Sequence, residues 1–289
     1  MNPRGLDPRG RALQILGLSD PLAKAAQARE LFTHLDVNSI DADAVFEPPE
    51  TLPGRPALPR LVPPKEVPAR SPFTREGRAA LLHAVTHIEF NAINLALDAV
   101  WRFSGMPRAF YADWLRVANE EALHFTLLRE HLLTLGCDYG HLDAHDGLWT
   151  MTQRTAHDVT ARMALVPRTL EARGLDATPP MQAKLGRAGD LRAVEILGVI
   201  LSDEVGHVAI GNRWYRWLCA RWPRPGDALR RTRAALPGAA PAPAVQHRRA
   251  PRRRLHRGRD RPARVNRRSG EFYTAAGSIA FSPTSAGIP

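Results

Sequence analysis

The chain has 289 residues, 44% hydrophobic and 24% charged, with a formal net charge of +11 and two cysteines. Two cysteines are too few for a disulfide framework at this length. No run of about 20 apolar residues is present to span a bilayer, and residues 1–20 lack an apolar stretch with a cleavage site, so a soluble, cytoplasmic protein with no membrane partner is expected.

In chain order, a first helix is expected over residues 21–35, with Ser19 or Asp20 as cap and Pro21 in the first turn. Nine prolines crowd residues 47–72, which must therefore be extended and irregular, wrapping the body or tethering the first helix. Long helices follow over about 74–103, ended by Gly105 and Pro107, and about 108–135, ended by Gly136. A connection over 137–149, rich in Gly, Asp and His, is long enough for a crossover. A third long helix is expected over about 148–173, then a short helix from Pro179 and Pro180, then a fourth long helix over about 190–222. Residues 231–289 hold 13 Arg, no Lys and two acids, Asp260 and Glu271, so the whole net charge resides there and residues 1–230 are neutral. With almost no apolar periodicity, that tail is expected to be disordered. The chain thus divides into an N-terminal helical segment (1–46), a proline-rich linker (47–72), an all-α four-helix bundle (73–226) and the tail (227–289).

Within the bundle lies the series Glu89, Glu121-Ala-Leu-His124, Glu171 and Glu204-Val-Gly-His207. Residues three apart on a helix are neighbours on its surface, so each Glu-x-x-His reaches one point. A Glu from each of two helices and a Glu-x-x-His from each of two others is the donor set that holds two metal ions inside a four-helix bundle. Hard oxygen donors with two imidazoles suit iron or manganese better than zinc. With 13 Glu and 11 His in the chain, chance supplies about 0.5 such pairs, so one match would mean nothing. Here there are two, and Glu89 precedes Glu121 by 32 residues while Glu171 precedes Glu204 by 33. Apolar residues flank Glu89, Glu121 and Glu204 at helical spacing, and a carboxylate in such a stripe needs a partner.

Other acids and histidines compete. Glu195 falls on the opposite helix face from Glu204, and Glu120 and Asp203 lie one step off their motifs and share the ligand face less well. His83 and His87 are four apart, but His87 shares a polar stripe with Asn91, Asn94 and Asp98 that points away from Glu89 and reads as solvated or interhelical. His141, His145 and Asp146 in the connection are expected to bond local backbone. On the third helix Glu171 lies near Pro167 and Gly174, so Asp158 stands as the alternative ligand.

These residues resemble a ferritin-like family of unknown function found in bacteria, over roughly residues 53–222. The stretches that carry the likeness include His87-Ile-Glu89, Glu120-Glu-Ala-Leu-His124, Ala144-His-Asp-Gly-Leu-Trp149, Val166-Pro-Arg168, Leu170-Glu-Ala-Arg-Gly174 and Asp203-Glu-Val-Gly-His207. The wider superfamily implies an iron pair and leaves the substrate open. Members continue past the fourth helix with a segment resembling Phe-Asn-x-Ala-Ala-Arg-x-x-Ala-Gly-Phe, which this chain lacks. Residues 245–257 can be encoded by codons that, read one base later, give Phe-Asn-Thr-Ala-Ala-His-Arg-Ala-Ala-Gly-Phe-Thr. The Arg-rich tail is therefore read as an out-of-frame product beginning between about 227 and 245, and an RNA-binding arm is its alternative.

The expected function is that of a diiron oxidoreductase or hydroxylase that activates oxygen, with two iron ions (manganese as the alternative) held by Glu89, Glu121, His124, Glu171, Glu204 and His207. Its partners would be a small-molecule or modified-nucleotide substrate, an electron donor and, as an assembly, a second copy of the chain. Ferroxidase or iron handling is one alternative function. A metal-stabilised bundle without turnover is another.

Overall fold

In the computed structural model of the protein, residues 7–221 are described, except 48 and 69, and of residues 170 and 171 only the backbone. The tail and the end of the fourth long helix thus lie outside the described residues. Everything regular within them is helical: α1 (Pro8–Leu16), α2 (Pro21–Thr33), α3 (Arg75–Arg102), α4 (Arg108–Thr134), α5 (Gly147–Arg154), α6 (Val159–Leu165), a π-helical stretch (Val166–Glu171), α7 (Ala172–Arg187) and α8 (Leu191–Arg221). No described helix is long and apolar enough to cross a membrane.

Local chemistry sets most boundaries. Asp20 accepts hydrogen bonds from the amides of Leu22 and Ala23, and Pro21 opens α2. Thr74 caps α3 through the Gly77 amide. Gly136 closes α4 at φ +76°, with its own amide bonding the Leu133 carbonyl and the Cys137 amide bonding the Leu132 carbonyl. Gly189 ends α7 with the same pair of bonds, to Gly186 and, through Asp190, to Leu185. Asp190 then caps α8 through the Ala193 amide while also meeting His131 Nε2 at 2.8 Å.

Two departures from expectation stand out. The third long helix is not continuous: Thr155 ends α5, Asp158 starts α6, and Val166–Glu171 winds as a π-helix. Pro167 lacks the amide that an α-helix needs there, and the Thr169 hydroxyl bonds the Ala164 carbonyl five residues back. Nor does the helix end near residue 173: Gly174 lies inside α7, which also runs through Pro179 and Pro180. The Thr178 hydroxyl satisfies the Gly174 carbonyl in that interrupted stretch. The second departure is α1, which the sequence reading did not anticipate. Its Arg9 is fully buried and donates to the carbonyls of Val100 and Trp101 at the end of α3 and of Asp41, Ala42 and Ala44. A buried arginine on the inner face hides the apolar period from any count of hydrophobic residues.

The proline-rich segment both wraps and tethers. The Gly54 amide bonds the Leu16 carbonyl, the Gly54 carbonyl accepts from Lys24, and Arg55 and Arg60 pair with Asp146 and Asp143 of the 137–146 connection. A bridge between Leu61 and Ala144 completes the seam.

Helices α3 and α4 are joined by five residues and run antiparallel, as do α4 and α8, where Asp113 meets Trp214, Glu120 meets His207 and His124 meets Asp203. Among the described residues the core forms two apolar clusters. One holds Ile93–Val100 side chains of α3, Phe110–Phe125 side chains of α4, and Ile210, Trp214 and Leu218 of α8. The other holds Leu82 and Val85, Leu128 and Leu132, Leu185, and Ala193–Ile200 side chains of α8. The chemically interesting side chains lie in the layer between them.

Candidate metal centre

Three helices place five of the expected ligands in that layer: Glu89 from α3, Glu121 and His124 from α4, Glu204 and His207 from α8. They form two groups, Glu89–Glu121–His124 and Glu121–Glu204–His207, in each of which one donor atom per residue lies within 4.8 Å of the others. Glu121 belongs to both. His124 Nδ1 is 3.1 Å from Glu89 Oε2 and 3.3 Å from Glu121 Oε2. His207 Nδ1 is 3.1 Å from Glu121 Oε1 and 3.7 Å from Glu204 Oε2. The two imidazoles stand 6.1 Å apart, centroid to centroid. Glu121, His124 and His207 are fully buried, and Glu204 keeps 13% of its side chain exposed.

Burial of three carboxylates without a neighbouring lysine or arginine among their described contacts needs an explanation, because unpaired buried charge is expensive. Burial and the adjacent Glu121 carboxylate push the Glu89 carboxyl well above its usual range, and burial pushes Glu204 up as well. For the histidines burial acts downward, but hydrogen bonds to the surrounding carboxylates outweigh it and raise both His124 and His207. Burial likewise opposes ionisation of Glu121, yet the His124 and His207 imidazoles on either side hold it below the usual carboxylate range. Protons therefore do part of the charge balancing here. They do it incompletely: Glu121 Oε1, Glu204 Oε2 and His207 Nδ1 are buried, close together and without a hydrogen bond. A cation between them would satisfy all three, so the residues fit a metal.

A second layer was missed by the face argument. Glu120 and Asp203 do not share the ligand face; they hold the far ring nitrogens. His207 Nε2 meets Glu120 Oε2 at 2.8 Å and His124 Nε2 meets Asp203 Oδ2 at 2.9 Å, each acid serving the histidine of the other helix. A carboxylate that accepts the Nε2 proton leaves the Nδ1 lone pair aimed inward, which orients an imidazole as a ligand. The signal was in the chain: both Glu-x-x-His motifs are preceded by an acid.

The other candidates are elsewhere. Asp158, the alternative to Glu171, spends one oxygen on the amides of Thr160 and Ala161 as the α6 cap. The Glu171 side chain lies outside the described residues. Glu195 is exposed and pairs with Arg192. The stripe of His83, His87, Asn91, Asn94 and Asp98 is buried rather than solvated. His87 Nδ1 bonds the Tyr139 hydroxyl and its Nε2 meets Asn91; Asn94 accepts from Lys24; Asp98 pairs with Arg102 and Arg162. His141 and His145 accept from backbone amides in their own loop, and Asp146 pairs with Arg55.

Comparison with known proteins gives a name without a function. A family profile described as "Protein of unknown function (DUF455)" matches residues 17–249. A curated relative from Haemophilus influenzae, titled "Uncharacterized protein", is 58% identical over 190 residues, which is 63% of this chain and 65%, just under two thirds, of that relative. No solved structure matches. The profile spans the helices that carry the buried Glu and His groups and most of the chain besides, and the chain belongs to this family of unknown function.

Proposed function

We propose that the protein holds two metal ions, iron or manganese, in the layer between its two apolar clusters, in a ferritin-like arrangement, and acts as an oxygen-activating oxidoreductase or hydroxylase. The observation that carries the reading is the pair of buried groups sharing Glu121, with converging oxygen and nitrogen atoms that no hydrogen bond satisfies. Glu89 and His124 would hold one ion, Glu204 and His207 the other, with Glu121 between them and Glu171 as the sixth ligand. When bound, such ions supply redox chemistry toward oxygen that no protein side chain has. The chain's own residues do the rest. Leu82, Leu128 and Ile200 in one buried apolar cluster and Phe125 in the other would keep bulk water from the layer. Asp203 and Glu120 fix the ring orientation of His124 and His207. Their side chains are 30% and 25% exposed, so protons displaced from the imidazoles by a metal have a short way to solvent.

The test is anaerobic loading with iron(II), or manganese(II), followed by metal analysis and oxygen exposure. About two ions per chain and oxygen uptake by the reduced protein are expected; absence of stoichiometric metal sinks the reading. Gel filtration separates the iron-storage alternative, which requires a large closed shell, from a monomer or homodimer.

The frame of residues after about 227 is a separate proposal. Sequencing the gene across residues 225–260 decides it: an adjacent frame that encodes Phe-Asn-x-Ala-Ala supports it, and its absence removes it.

A further inference from the structure

The last turns of α8 carry a surface with a composition of its own. From residue 205 to residue 221 there is no acid, and Arg213, Arg216 and Arg221 are exposed. Arg168 of the π-helical stretch joins them by bonding Asn212. At 100° per residue, Arg216 takes the outermost line of α8, with Asn212 and hence Arg168 on one side and Arg213 on the other. Three of these guanidinium groups are laid over aromatic rings: Arg168 over Tyr215 at 4.1 Å, Arg213 over Trp214 at 4.5 Å and Arg221 over Trp217 at 3.8 Å. Stacking holds a guanidinium still while its edge donors stay available, so less side-chain entropy is lost when it engages a carboxylate. Against these four arginines stands Asp113, which pairs with Arg213 at 3.2 Å and accepts from Trp214 Nε1.

The surface is also connected inward. Trp217 and Trp214 are 5.7 Å apart and Trp214 and Phe110 5.4 Å. Trp214 lies seven residues after His207, two turns along the same face of α8, or about 10 Å.

We propose that this arginine surface docks the acidic face of a protein electron carrier, of the iron–sulfur or flavin class, that feeds the buried centre. The proposal rests on the oxidoreductase reading above. Hydroxylation of a substrate RH to ROH by O2 takes up two electrons and two protons and yields one water, and the carrier supplies the electrons in two single-electron steps, being oxidised once in each. Nucleic acid is the less favoured occupant, because sequence-tolerant binding to single strands needs free ring faces on which bases stack. Here Trp214 is buried, and Tyr215 and Trp217 are half-buried and already covered by guanidinium groups.

The test is made first on metal-free protein, so that it does not depend on the ions. A plant-type [2Fe–2S] ferredoxin, an acidic carrier, is titrated against the full chain at low and at 0.2 M salt. Binding that weakens tenfold or more with salt, and tenfold or more in the double variant Arg213→Glu/Arg216→Glu, is expected. Arg216→Lys should retain most of the affinity, and Arg192→Glu, at the other end of α8, should bind as the parent does. Circular dichroism checks that the double variant is folded; if it is not, Arg216→Glu alone replaces it. With iron loaded, oxidation of the reduced ferredoxin should show the same arginine dependence. Unchanged affinity in the charge-reversed protein overturns the proposal, as does arginine-dependent binding of a single-stranded RNA with none of the ferredoxin. Arginine-dependent binding of the carrier with no uptake of iron would leave the docking surface standing and remove the metal reading instead.

Discussion

Single residues divide the buried polar groups by what each can lose. Glu121 offers one oxygen to each histidine, so Glu121→Ala should abolish binding of both ions, whereas Glu89→Ala should leave about one per chain; metal analysis after loading and desalting distinguishes them. Asp203→Asn and Glu120→Gln keep the ligands but weaken their orientation, and each should cost roughly 10–100-fold in metal affinity, read by competition with a chelator. Lys24 is a different case. Its ammonium is fully buried, bonded to Asn94 Oδ1 and the Gly54 carbonyl, and lies 5.0 Å from the Phe90 ring centre. Burial first, and Arg55 second, lower its pKa to about 7. The folded state then prefers the neutral amine, while the unfolded chain keeps its proton up to the ordinary value near 10.5. Below pH 7 both states are protonated and the folded one carries the cost of burial; between pH 7 and 10.5 the unfolded state binds the extra proton, so stability rises with pH. The slope is at most about 1.4 kcal/mol per pH unit. Lys24→Met should flatten it, measured by urea unfolding at pH 6, 8 and 9.5.

Elements show where periodicity stops being a guide. α3, α4 and α8 follow one helical period from cap to cap, and the faces that carry their buried Glu and His groups could be read from spacing. The third segment could not. Its α5–α6 break is held by Arg162, which bonds Thr155 Oγ1 and the Thr152 carbonyl and pairs with Asp98 of α3, a partner 64 residues away in the chain. The π-helical stretch then changes the winding, so a 3.6-residue count cannot be carried from Asp158 to Glu171. That stretch is seated against Gly211 of α8, where an added Cβ would come within 2.5 Å of Pro167 Cβ and Cγ. Gly211→Ala should therefore push the π-helical stretch off α8 and destabilise the protein by roughly 1–3 kcal/mol, measurable as a lower denaturation midpoint.

For the molecule as a whole, the candidate centre lies where the two apolar clusters meet and where α3, α4 and α8 all contribute. Ions bound there favour the folded chain over the unfolded one by mass action. At metal about 100-fold over its dissociation constant the gain is about 2.7 kcal/mol. Thermal unfolding should shift upward by several degrees on loading and return with chelator. The shift should be absent in Glu121→Ala. The N-terminal helices and the proline-rich seam cover the polar stripe of α3 on another side, so the same helix presents acid to the centre and His, Asn and Asp to its wrapping.

What the sequence by itself determined is local in origin. Caps, glycine stops, helix faces and the repeated Glu-x-x-His depend on residues within a turn or two of one another, so composition and spacing were enough to read an all-helical body and five of its buried ligand candidates. Tertiary structure decided what depends on distant partners. Arg9 is buried because five carbonyls from two other segments surround it, and the polar stripe of α3 is dry because α2, the 137–146 connection and α6 supply Lys24, Tyr139 and Arg162. Glu120 and Asp203 acquire roles because α4 and α8 run antiparallel at a register that sets each beside the other helix's histidine.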